Sequence, residues 1–340
     1  METRSKYYHF TSSDLFYGIN SIEDAIAALG EGGFVWFNFY KPAREEFNAL
    51  VDKMGIHPLS VEDCFDDKQV PKIEYFTGNT FILFNAFSYS ENILSIDEIN
   101  LFIGKNFLIT VSGTNSGERK PLNEVTTIIE GNPGLVKAGP AFLMHVVLDY
   151  LVDQKYNSFD VMEDELEDAE ERLVTDVENF KPMQLIRLRK DLLSLRKSLY
   201  HEREILVKIC RMDCPFIPEN AIVPYRDIYD HLARFFELAE TYREIETSLM
   251  ELYTSLLNNK MTKMSNETNL SVKRLTLIAT IFMPLTLISG ILGMSEWSMM
   301  TGPDNWKHSY PLFFLGMALI AVVNYFIIKR IEIRKRNSLT

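Results

Sequence analysis

The sequence predicts an α/β domain at the N-terminal end, then a long helical stalk, then two C-terminal transmembrane helices. Three observations predict this. Short aromatic and β-branched runs bounded by turn residues occupy the first part of the chain. Leucine seams at helical spacing occupy the middle. Nearly all long apolar runs lie after Leu275, and nearly all acidic residues lie before it. The boundaries that follow are 1–135 for the α/β domain, 136–262 for the stalk and 263–340 for the membrane region, with spans at about 275–294 and 310–328.

Within the α/β part, Phe34 to Tyr40, Thr80 to Phe87, Leu101 to Ile103 and Phe107 to Val111 read as strands. Glu91-Asn92 sits between two such runs as a hairpin turn. Helices are expected over Ser21 to Leu29, Arg44 to Met54 and Leu122 to Glu130. From Ala141 the pattern becomes long helices. Leu185, Leu188, Leu192, Leu195, Leu199, Leu206 and Ile209 form one packed seam. Ile228, Leu232, Phe235, Ala239, Tyr242, Leu249, Leu252 and Leu256 form a second. Between Tyr225 and Met294 only Pro284 and two glycines interrupt helical sequence. A continuous helix there is roughly 105 Å long at 1.5 Å per residue.

Leu275 to Met294 and Tyr310 to Ile328 carry no charge and reach the ~20 residues that a bilayer requires. Lys263, Lys273 and Arg274 precede the first span, and Lys329, Arg330, Arg334, Lys335 and Arg336 follow the second. The connector between them has only Lys307 as a fixed positive charge. The positive-inside rule then puts both ends, and the N-terminal domain, in the cytosol. Asn269, Val272, Leu275, Ala279, Met283, Thr286 and Gly290 fall on one stripe of the first span. Such small, polar and flexible residues suit either a water-filled path or a close helix–helix contact. Two helices cannot enclose a path alone, so a pore needs several copies about an axis. Arg274 lies off the stripe, which favours an outward position toward lipid phosphates; facing a pore neck instead, its guanidinium would oppose cation passage. Pro284 removes a backbone bond and leaves the Thr280 carbonyl short of a partner.

Composition excludes several classes. A net charge of −12, concentrated between Asp160 and Glu178, argues against a nucleic-acid partner. That stretch is expected to be a solvated helix face. Three cysteines are too few for a disulfide framework, and Cys210 and Cys214 lack the neighbours of a zinc site. No apolar core follows the N-terminus, so no signal sequence is expected at this end. The histidines are scattered, without a paired nucleophile or phosphate loop, so no enzyme and no cofactor is expected. His57 and His231 are expected as buried or capping residues.

Four segments carry a family resemblance. HPLSVEDCFDDKQVPKIEYF (His57 to Phe76) resembles the HPL-ED-RPK segment of CorA proteins, and LFIGKNFLITV (Leu101 to Val111) their strand pair. RDIYDH (Arg226 to His231) resembles the opening of their stalk helix, and RLTLIATIFMPLTLISGILGM (Arg274 to Met294) their first membrane helix. The resemblance runs in order from about Gly33 to Ile328. It implies a funnel-shaped homopentamer in the inner cell membrane, moving Mg²⁺, often with Co²⁺ or Ni²⁺, down its gradient. It also implies that divalent cations are regulators as well as substrate. Asp227 matches a sensing carboxylate whose partner lies in a hairpin of the adjacent subunit, where this chain offers Glu91.

Departures from the family pattern bear on the ion. Gly293-Met294-Ser295 stands where the family has Gly-Met-Asn at the outer filter. A serine hydroxyl on its short stem makes a wider, less directive ring than an asparagine amide, so weaker capture of hydrated Mg²⁺ is expected. EWSMMTGPDNW replaces the acidic connector of relatives. The loop before the first span is about seven residues longer, nearly two helical turns, and aligns the pore-entry asparagine with Asn269. Two alternatives therefore stand beside Mg²⁺ transport. One is the same pore with altered selectivity (Zn²⁺, Co²⁺ or Ni²⁺, a poorly selective conductance, or anions). The other is a membrane-bound sensor that conducts nothing.

Overall fold

The computed structural model describes residues 5–11, 16–66, 69–90, 93–113, 122–292, 302 and 305–336. The chain divides into two compact units, Met1–Tyr253 and Thr254–Thr340.

The first unit is built on a seven-stranded sheet. Its strands are β1 (Lys6–Phe10), β2 (Phe16–Ile19), β3 (Phe34–Tyr40), β4 (Lys72–Tyr75), β5 (Thr80–Ser90), β6 (Ile93–Ile103) and β7 (Phe107–Ser112). They lie in the order β2-β1-β3-β7-β6-β5-β4, with β3 parallel to β7 and the other pairs antiparallel. Every described residue of β7 is buried, as are most of β3 and β5, so these strands read as continuous apolar runs and not as alternations. Covering both faces of a sheet has that effect. One face holds Phe37, Phe39, Phe81, Phe102 and Ile109 against α1 (Ile22–Ala28), α2 (Arg44–Met54) and α3 (Pro58–Phe65) through Ala25, Phe47, Leu50 and Val61. Gly33 enters β3 at φ +79°, where a Cβ would collide with the Phe10 carbonyl.

After α4 (Asn123–Gly131), three long helices follow: α5 (Pro140–Thr175), α6 (Met183–Cys210) and α7 (Ile222–Leu292). Helix α5 packs on β5. Phe159 of α5 stacks on Phe235 of α7 at 5.2 Å, and Tyr156 meets the same ring at 4.5 Å. The guanidinium of Arg203 on α6 lies 5.0 Å over Phe236 of α7. The α6 seam from Leu185 to Ile209 is wholly buried.

The α7 seam is buried from Ile228 to Leu249, but Leu252 is exposed, which differs from the sequence expectation. The cause is the reach of the α5–α6 hairpin, whose tip residue Phe180 lies 5.6 Å from Tyr253.

A buried polar network ties β5 to α5 and α6. Lys155 Nζ donates to the Asn85 carbonyl at 2.7 Å, lies 3.3 Å from Glu202 Oε2, and sits 3.8 Å over the Phe87 ring. Ser198 donates to Glu202, and Asn85 Nδ2 donates to Ser198 at 2.7 Å. Both charged side chains are fully buried. Burial lowers the Lys155 pKa and raises that of Glu202.

Beta-strand 6 is longer than expected, since it begins at Ile93 and not near Leu101. Asp97 and Glu98 disguise its first half. Both are buried, and Glu98 accepts the Gln69 amide at 2.7 Å. The second unit contains the remainder of α7 and α8 (Trp306–Arg336).

Candidate ion pathway and regulatory residues

Two helical segments are long and apolar enough to cross a membrane, within Glu219–Ile291 and Lys307–Arg330, and neither apolar window is buried by the chain. Leu275, Phe282, Leu287, Leu312, Phe314 and Leu319 are all exposed. A surface so large and apolar belongs against lipid or another chain.

The stripe positions Asn269, Val272, Leu275, Ala279, Met283, Thr286 and Gly290 all lie on α7 and are open to the surface, Ala279 and Met283 included. Four of them, Ala279, Met283, Thr286 and Gly290, help line a groove of about 630 Å³. The larger Phe282, Leu287 and Ile291 form the rest of its lining. A Cβ at Gly290 would meet nothing within 4 Å, so among the described residues no contact calls for glycine there. Hydroxyls along this segment bond back to the helix: Thr276 to the Val272 carbonyl, Thr280 to Thr276 and Thr286 to Phe282, at 2.7–2.9 Å. Such bonds satisfy polar groups locally in an apolar medium. Helix α7 continues through Pro284. Gly293, Met294 and Ser295 lie outside the described residues, as does Glu91.

Asp227 lies in the second turn of α7, with 70% of its side chain exposed and His231 Nε2 at 3.6 Å. The other ring nitrogen of His231 bonds Tyr156 at 3.1 Å. The fold brings two further groups to Asp227 from α5. His145 packs edge-on against Tyr225 at 5.7 Å, and burial lowers its pKa against the opposing charges of Asp149 and Asp227. Asp149 is raised by burial, and its charged neighbours are His145, Asp153, Asp227 and His231. Sequence reasoning missed Asp149 and His145. The available signal was a His–Asp pair four residues apart on each of two helices, which puts each pair on one helix face. Among the described residues no three such groups converge closely enough to hold a metal ion. His57 caps α3, its Nδ1 accepting the Leu59 amide at 3.2 Å, and stacks on Phe76.

Comparison with known proteins places this architecture. Residues 31–330 match the family described as CorA-like Mg²⁺ transporter protein. The chain is 35% identical over 274 residues to the cobalt/magnesium transport protein CorA of Thermotoga maritima, covering 79% of this chain and 74% of that one. The complete CorA magnesium transporter of Methanocaldococcus jannaschii shares the fold, with a TM-score of 0.71 over 97% of this chain and 98% of that chain, at 24% identity. A more distant relative is the zinc transport protein ZntB of Pectobacterium carotovorum, 20% identical over 250 residues and 72% of each chain. With its sheet-and-helix unit, its long α7 and its two apolar C-terminal helices, this chain belongs to the CorA family of divalent-cation transporters.

Proposed function

We propose that this chain moves divalent cations, Mg²⁺ foremost, through a pore formed by five copies, with the Asn269-to-Gly290 stripe facing the axis and Gly293-Met294-Ser295 at its outer mouth. The observation that carries this is the hollow at Ala279, Met283, Thr286 and Gly290. Gly290 meets no other part of the chain among the described residues, and the exposed Ala279, Met283 and Thr286 continue the same face, which a fivefold axis would give a use. The protein then sits in the inner cell membrane with both termini in the cytosol, and the lipid bilayer covers the outward apolar faces. Mg²⁺ gives up water reluctantly, so a ring of hydroxyls and backbone carbonyls passes it with much of its hydration shell. Cytosolic divalent cations regulate the pore through Asp227, which is exposed and short of ligands within one chain, with Glu91 of a neighbouring copy as the complementary carboxylate.

Ser295 favours a second reading, the same pore with broader selectivity that includes Zn²⁺, Co²⁺ or Ni²⁺; the zinc-transporting relative supports it. Flux of Mg²⁺, Zn²⁺, Co²⁺ and Cl⁻ into liposomes containing the full chain separates the two. Divalent flux is expected, and Gly290→Leu lowers it about tenfold or more by placing apolar bulk in the path. Flux that ignores Gly290→Leu removes the stripe from the pathway, and no flux of any ion leaves a non-conducting sensor.

A further inference from the structure

We propose that an exposed strip of α6 seats the acidic strip of α5 from a second copy, which makes a head-to-tail contact between neighbours. The strip on α6 consists of Ile186, Lys190, Leu193, Lys197 and Tyr200, at alternating spacings of four and three, all exposed. Ile186, Lys190, Leu193 and Lys197 also line a shallow groove of about 360 Å³. The strip on α5 consists of Val161, Asp164, Asp168, Glu171 and Val174, at the same kind of spacing; all are exposed except Asp168, which is half-exposed and paired with Arg172 at 3.0 Å.

The two strips match in length and in order of chemistry. Val161 and Val174 are about 20 Å apart along their helix, and Ile186 and Tyr200 about 21 Å. Each strip has an apolar residue at either end; Asp164 and Glu171 on one and Lys190 and Lys197 on the other carry the opposite charges, flanking a central Asp168 held by Arg172 and a central Leu193. Neither strip complements itself, so the pairing is heterologous, and a heterologous contact closes into a ring when its rotation allows. A lipid surface would also take the basic strip, but it gives no reason for the matching acidic one. The inference rests on the ring reading above and adds to it a contact made by the first unit.

Asp168 and Leu193 are the centres of their strips, so they meet whether the paired helices run parallel or antiparallel. In the full-length protein with Cys210→Ser, the double variant Asp168→Cys, Leu193→Cys should give an interchain ladder under mild oxidation. Either single variant should not. Lys190→Glu with Lys197→Glu should lower that ladder about tenfold, and adding Asp164→Lys with Glu171→Lys should restore it. A ring of normal mass that conducts yet gives no ladder, or only an intrachain product, overturns the contact and leaves the pore reading intact. A monomeric particle overturns both. Protection of Leu193→Cys from labelling by anionic vesicles, without a ladder, assigns the strip to the membrane and overturns the proposal.

Discussion

Phe235 and Phe282 lie on the same helix, yet the first is fully buried and the second is 59% exposed. The contrast extends to the two units. Up to Tyr253 most large apolar side chains find partners within the chain: the sheet closes over α1, α2 and α3, and α7 lies against α5 and α6. From Thr254 onward no apolar side chain among the described residues is buried, and many are exposed. The first unit therefore has its own packed core, whereas the second leaves apolar surface of the kind that lipid or another chain covers.

The same truncation at the two sites tests this most strongly. Phe235→Ala removes a ring held between Tyr156 and Phe159, and should cost about 3–5 kcal/mol in unfolding of the purified full chain. Phe282→Ala should cost well under about 1 kcal/mol in the same assay. A comparable loss at both sites would mean that Phe282 packs against protein as tightly as Phe235 does.

A charged contrast sharpens the comparison at somewhat smaller scale. Lys155→Met leaves Glu202 buried without its cation and should destabilise by about 3 kcal/mol. Adding Glu202→Leu should recover much of that loss, because an apolar pair needs no desolvation. Chemical denaturation read by circular dichroism distinguishes the single from the double variant; equal losses would mean that the network, and not the charge, sets the cost. Lys329 and Arg330, beyond the second span, have no such constraint.

How far the sequence disclosed this arrangement depends on where each residue's partners lie. Strand β3 and helix α2 were legible to the residue because the aromatic run of one, the apolar period of the other and the flanking Gly33 and Pro42 are local. The start of β6 was not, because Asp97 and Glu98 look solvated until Gln69 arrives from another segment. Strands β1, β2 and β4 are short and polar-flanked, and only their sheet neighbours define them. The stripe on α7 was legible by spacing alone, since it involves one helix. Asp149 and His145 were not, since their closeness to Asp227 comes from packing α5 along α7. Spacing within one element can be read from a sequence, but adjacency between elements waits for the fold.

The smallest expected effect concerns Glu246, a buried carboxylate on α7 that lies near Thr247, Arg189 and Arg243. Burial raises its pKa, and the nearby charges of Arg189 and Arg243 only partly oppose that. In the folded state the group therefore holds its proton at pH values where the unfolded chain, near 4.5, has released it. The native state binds more protons across that window, so stability falls as pH rises from the unfolded pKa through the folded one. The cost is then fully present at neutral pH and absent in acid. Glu246→Gln keeps the shape and removes the charge, so it should raise the melting temperature at pH 7.5 and leave it nearly unchanged at pH 4. The opposite sign at pH 7.5 would mean that the two arginines hold the carboxylate more strongly than burial penalises it, and that this polar α6–α7 contact stabilises the first unit by charge.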